Sequence, residues 1–306
     1  MDFRGVAIGI VFLFQSTFGI LGNVSFLSYY LLHYCTAQKL MTKDLILTHL
    51  FTANSLIILS KGVLEITHAF EMKWFTSDIG CKFLLYIERL GRNMSIGTIC
   101  VLSVFQAITI SPSVSRWKDL KIKAAKYIGL SISLCWVLCM GINMIYPVHT
   151  YATESSKNMT LKQNLIHCST PGYNAVRGSL YMAFCVFPEI LLSVIIAWMG
   201  GAMVITLYRH KQRVQHIRST HVSNITSPVS RASRSIVVLV FTFLGFYALS
   251  SILQGWNALV YNSGWWLMNI TAVISMCFPT LGPFIVSHTS TLFKFHFFCM
   301  RNQNIT

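Results

Sequence analysis

Charge is what this chain has least of. Of its 306 residues only 11% are Asp, Glu, Lys or Arg, and just nine are acidic. Soluble domains carry about a quarter of their residues charged, so a soluble globular protein is excluded. Catalytic signatures are missing too. There is no HExxH, no GxSxG and no P-loop, the spacings that place a metal, a nucleophile or a phosphate cradle. His68, His149 and His167 fall in connecting segments without metal-ligand spacing, so neither a metal nor a cofactor is expected. No internal repeat and no low-complexity segment occurs. Only five residues precede the first apolar run, without a basic leader or a small-residue cleavage site, so no separate cleavable signal is expected. Nine cysteines do not make a disulfide framework. Five of them (Cys100, Cys135, Cys139, Cys185, Cys277) lie inside apolar runs and read as small buried hydrophobes.

What is present is long apolar sequence. Hydrophobic residues make up 54% of the chain, and its mean hydropathy is +0.58. Seven runs are long enough to cross a bilayer as helices, which takes about 20 residues. They fall at about 6–34, 45–66, 81–106, 124–146, 178–208, 236–261 and 265–287. The expected fold is an all-α integral membrane protein, a seven-helix bundle forming one domain over residues 1–306.

The third run is unusual because it carries charge at depth. Counting inward from Cys81 at about 1.5 Å per residue, Glu88 lies roughly 10 Å deep and Arg92 roughly 16 Å deep. In a hydrocarbon core about 30 Å thick, Arg92 reaches the midplane. Ionisable groups there face a bundle interior or a wet cavity. Glu88 and Arg92 are spaced i,i+4 and can pair on one helix face. Lys61 and Glu65 have the same spacing in the second run.

Orientation follows from Lys and Arg in the short connections. One set of connections holds fifteen basic residues against two acids, Asp44 and Asp119. It includes Arg116, Lys118 and Lys121 after the third run and Arg209, Lys211 and Arg213 after the fifth. That side is expected to be cytoplasmic, with the N-terminus outside and the C-terminus inside. The same distribution leaves no separate basic domain for nucleic acid. The basic connections are expected to face anionic lipid and a cytosolic partner. On this topology Cys81 and Cys168 both lie outside, where disulfides form. A Cys81–Cys168 bridge is expected, two free thiols being the alternative. Of six glycosylation sequons, only the one at Asn158 falls in an outer connection.

Seven runs, an outside N-terminus and this cysteine pair resemble the rhodopsin-like G-protein-coupled receptors. Gly22-Asn23 matches the first-span motif and Trp136 the fourth-span tryptophan. Leu50-Phe51-Thr52-Ala53-Asn54 matches the second-span motif, with Asn in place of Asp. The base of the third span reads Phe105-Gln106-Ala107 instead of an acidic-arginine-aromatic triplet. The sixth span has no proline, and the seventh reads Phe278-Pro279-Thr280-Leu281-Gly282. With LSVFQAITISP at 102–112, RWKDLKIKAAKYIGLSI at 116–132, LYRHKQRVQHI at 207–217 and CFPTLGPF at 277–284, the chain resembles the vomeronasal type-1 (pheromone) receptors over essentially its whole length.

The resemblance implies a plasma-membrane chemosensory receptor coupled to an inhibitory-type heterotrimeric G protein. Glu88 lies seven residues after Cys81, where amine receptors carry their amine-pairing carboxylate; neutralising a neighbouring arginine is the alternative role. Arg89 matches a basic position of the family. Tyr86, Glu88, Arg89, Arg92, Glu189 and Trp256 are the candidate pocket residues. Their setting suits a small, mostly apolar ligand carrying an acceptor or anionic group, held by Arg89 or Arg92. Gln106 and the two basic triplets are the candidate G-protein face. A small transporter or channel is the competing reading; it predicts repeated halves or interrupted helices at matching positions.

Overall fold

The structure is a computed structural model that describes residues 3–35, 42–70, 78–110, 115–144, 151–152, 168–169, 175–218, 228–259 and 264–289. Seven long helices dominate it: α1 (Phe3–Cys35), α2 (Thr42–Ala69), α3 (Asp78–Ile110), α4 (Ser115–Asn143), α5 (Ala175–Arg218), α6 (Pro228–Leu259) and α7 (Trp265–Thr289). Each contains an apolar stretch of 20 to 32 residues, enough to cross a membrane. Between α4 and α5 lies a feature that hydropathy did not announce. Strands β1 (Tyr151–Ala152) and β2 (Cys168–Ser169) pair antiparallel, Tyr151 opposite Ser169 and Ala152 opposite Cys168. β1 packs against α3.

Several helices outrun their hydrophobic runs. α4 begins at Ser115, so Arg116 to Lys126 forms its opening turns instead of a loop. α5 continues to Arg218, carrying Arg209, Lys211 and Arg213 on helix. Lys and Arg are good helix formers, so a helix need not stop where its apolar stretch does. α6 opens on Pro228, whose missing N–H costs nothing in a first turn. α4 ends at Asn143, short of Pro147.

Burial sorts the helices into centre and periphery. Half or more of the apolar stretch is buried in α2, α3 and α7, against 17% in α1, 11% in α4 and 17% in α5. The exposed residues of the outer helices are large and apolar: Phe14 and Leu21 on α1, Leu130 and Val137 on α4, Val194 and Trp198 on α5. That surface suits hydrocarbon, where a helix satisfies most of its backbone groups internally. The main core joins α2, α3, α6 and α7 through Ile46, Leu50, Phe51, Ile99, Leu102, Leu239, Phe243 and Phe278.

Two local devices set the packing. Gly91 lets α3 lie against α2: a Cβ there would stand 2.9 Å from the Ala53 carbonyl oxygen and 2.9 Å from Cγ1 of Ile57. Small residues at such contacts let membrane helices approach closely. In α7, Pro283 has no N–H for the carbonyl four residues back, at Pro279. Asn23 of α1 takes that carbonyl, its Nδ2 donating across 2.9 Å, and also donates to Gly19 O at 2.7 Å. The first-span asparagine therefore stabilises the seventh-span proline break. Across the α2–α4 contact, Trp136 Nε1 donates to His49 Nδ1 at 3.2 Å.

Candidate functional site

A cavity opens between α2, α3, α6 and α7, with an empty volume of about 450 Å³ including its mouth. Its wall is largely aromatic and aliphatic: Ile57, Phe243, Phe246, Phe278 and Pro279. Into this wall α3 contributes Glu88, Arg92 and Ser95, successive turns of one face. Ser250 of α6, Ser275 of α7 and the ring of Tyr247 complete it.

Arg92 is the polar centre. Its Nη2 donates to Ser251 Oγ at 3.3 Å, and its guanidinium carbon lies 4.9 Å from the Tyr247 ring centroid. A desolvated cation–π contact is worth about 2 kcal/mol. The Tyr247 hydroxyl donates in turn to a carboxylate oxygen of Glu189. α3, α6 and α5 are thus joined by one chain of polar contacts. The guanidinium meets a neutral hydroxyl and a ring, and its Nε, although buried, has no hydrogen-bond partner. A guanidinium carries five N–H donors and demands acceptors when buried.

Glu88 does not pair with Arg92 along its own helix. Its Oε1 lies 3.3 Å from Nζ of Lys61 on α2. The i,i+4 spacing made the intrahelical pair feasible, but Arg92 turns towards α6 while Glu88 meets α2. The signal for the cross-helix pair was depth. Lys61 stands eight residues before the end of α2, about 12 Å, and Glu88 ten residues into α3, about 15 Å. Antiparallel neighbours bring those levels together.

The remaining sequence candidates divide. Glu189 stands one contact behind the cavity wall, bonded to Tyr247. Arg89 is half-buried, engaged by neighbours, and does not line the cavity. Tyr86 faces α4, where its hydroxyl donates to Met140 O at 3.4 Å. Trp256 is 59% exposed at the far end of α6. Neither belongs to the cavity wall. Tyr247, Ser250, Ser251 and the Phe243–Phe278 edge-to-face pair, centroids 4.8 Å apart, were not singled out from sequence.

Beneath the cavity lies a second polar layer. Ser95 Oγ donates to Asn54 Oδ1 at 3.3 Å, while Asn54 Nδ2 and Thr280 Oγ1 are buried without partners. Towards the other end of α3, Gln106 is only 6% exposed, so in this conformation it is not an open docking residue. Arg209 is exposed. The side chains of Arg116, Lys118, Lys121, Lys211 and Arg213 lie outside the described ones, as does Asn158. Cys81 is 2% exposed and disulfide-bonded; the Cys168 side chain lies outside the described ones. Cys100, Cys135, Cys139 and Cys277 are free thiols, Cys100 buried and the others half-buried.

Comparison with known proteins places this architecture. Residues 6–298 match the family model described as the vomeronasal organ pheromone receptor family. The human vomeronasal type-1 receptor 2 is 47% identical over 274 residues, covering 90% of this chain and 69% of that protein. The human vomeronasal type-1 receptor 4 is 42% identical over 298 residues, covering 97% and 99%. The vomeronasal type-1 receptor 1 of Gorilla gorilla gorilla is 38% identical over 308 residues, covering 100% and 86%. Membership implies a small-molecule ligand and G-protein coupling in general. The chain belongs to the vomeronasal organ pheromone receptor family, as a multi-pass chemosensory receptor of the plasma membrane and not an enzyme.

Proposed function

We propose that this receptor binds a small, mostly apolar ligand carrying an oxygen acceptor or anionic group in the cavity between α2, α3, α6 and α7. Arg92 holds the polar end of that ligand. The observation that carries this reading is the half-buried Arg92 guanidinium on a largely aromatic and aliphatic wall, with a buried Nε that lacks a partner. Apolar walls with a few placed polar groups suit such ligands. The whole chain acts as one receptor domain, with its N-terminus and the Cys81 end of α3 outside the cell and its C-terminus inside. A Cys81–Cys168 bridge ties the α4–α5 connection to α3, and Asn158 in that connection carries the glycan. The basic ends of α4 and α5, with Arg116, Lys118, Lys121, Arg209, Lys211 and Arg213, face anionic lipid and an inhibitory-type heterotrimeric G protein. Gln106, near the same end of α3, belongs to that face.

The test is a response panel. Cells expressing the receptor and an inhibitory-type G protein are given apolar carboxylic acids and their matched hydrocarbons. Arg92→Gln is expected to lose the response to the acids and to keep any response to the hydrocarbons. An unchanged ranking in Arg92→Gln at normal surface expression contradicts the placement of the ligand.

A further inference from the structure

A buried carboxylate on the wall of an apolar cavity invites a cationic ligand, because an opposite charge nearby stabilises it. Glu88 is such a carboxylate, yet Lys61 already occupies it at 3.3 Å. Lys61 is not on the cavity wall. It reaches Glu88 from α2, behind the lining, and the two side chains are 12% and 15% exposed. An amine entering the cavity must compete with Lys61 for one carboxylate and must sit near the Arg92 guanidinium, a like charge. An oxygen anion meets the opposite. It finds the Arg92 guanidinium on the cavity wall. It also finds the Ser250 hydroxyl, which accepts from Gln254 Nε2 at 3.0 Å and can donate its own proton.

We infer that Lys61 sets the sign of charge this receptor accepts: held against Glu88, it excludes amines and leaves Arg92 to select a carboxylate or an equivalent oxygen anion. The inference rests on the ligand cavity proposed above. Lys61 is a positioning residue that acts through Glu88 and does not touch the ligand.

The experiment uses the purified full chain in lipid nanodiscs and three probes on one skeleton: cyclohexylacetate, cyclohexylmethanol and cyclohexylmethylamine. Dissociation constants are measured for the wild type, Lys61→Met, Glu88→Gln and the double variant Lys61→Met with Glu88→Gln. The wild type should hold the acetate at least about tenfold tighter than the amine. Lys61→Met should gain about tenfold for the amine, because Glu88 is released to bind it. The double variant should lose that gain, since the Glu88 carboxylate is gone from the wall. It also keeps the test open if Lys61→Met folds poorly, because it removes both charges of the Lys61–Glu88 pair together. Glu88→Gln should tighten the acetate, with the Lys61 ammonium no longer neutralised. A wild type that binds the acetate but shows no amine gain on Lys61→Met and no tighter acetate on Glu88→Gln overturns the role of Lys61 alone. A wild type that binds amine and acetate equally overturns it too. A wild type that binds none of the three overturns the cavity reading itself, and this inference with it.

Discussion

Tyr247 has two separable jobs. Its ring faces the Arg92 guanidinium, and its hydroxyl donates to Glu189. Tyr247→Phe keeps the first and removes the second, leaving a carboxylate of α5 short of a donor. Glu189 is half-buried, so the expected loss of stability is about 1 kcal/mol, the net worth of one hydrogen bond. A lowered thermal midpoint of the purified receptor would register it. Tyr247→Leu should lower the midpoint further, because the cation–π contact goes as well. Equal midpoints for the two variants would show that the ring contributes nothing. At this scale the sequence announced the charges and not their partners. Arg92 was legible as a cation in the middle of α3 from its distance to Cys81 alone. Its contacts with Ser251 and Tyr247 depend on how α6 is rotated about its axis, which no spacing within α3 records. The Glu88 partner escaped for the same reason: a spacing of four describes one helix, and the ion pair joins two.

Among the elements, α7 tests the account most cleanly. Pro283 frees the Pro279 carbonyl, and Asn23 satisfies it at 2.9 Å. Asn23→Ala should cost about 1–3 kcal/mol, since the orphaned carbonyl is buried. Restoring an N–H at position 283 with Pro283→Ala should recover part of that loss. The double variant is expected to have a higher thermal midpoint than Asn23→Ala alone; additive loss would mean the two residues are not coupled. The α2–α3 contact makes a second element-scale prediction. Gly91→Val places branched carbon against Ala53 and Ile57, and should sharply reduce surface expression, whereas Gly129→Val, where a Cβ meets nothing within 4 Å, should not. Helix existence was legible throughout, because an apolar run of more than about 20 residues has few other solutions. Helix ends were not. The basic starts of α4 and α6 and the long basic end of α5 are helical although hydropathy stops short of them, since hydropathy marks what lies in lipid and not where backbone hydrogen bonds end. The β1–β2 pair, two residues a side, was below any pattern a sequence can display.

For the whole molecule, charge and covalent linkage set the predictions. Cys81→Ser and Cys168→Ser should each be retained inside the cell. Loss of a native disulfide costs about 2–5 kcal/mol in small secreted domains. Normal surface levels of both variants would remove the bridge from the account. Neutralising Arg116, Lys118 and Lys121 together, or Arg209, Lys211 and Arg213 together, should reduce coupling more than ligand binding, with orientation checked by accessibility of an N-terminal tag. Full signalling by both triple variants would place the G-protein contact elsewhere. The central claim is that Arg92, on the wall of a seven-helix cavity, holds the ligand that activates the G protein. It is tested most directly by nucleotide exchange on an inhibitory-type heterotrimer, in vesicles holding purified wild type or Arg92→Gln, across a panel of small apolar carboxylic acids. The account predicts that at least one acid accelerates exchange on wild-type vesicles and needs about tenfold more ligand on Arg92→Gln vesicles. Equal acceleration by both receptors, or uptake of the acids into the vesicles without any exchange, would contradict it.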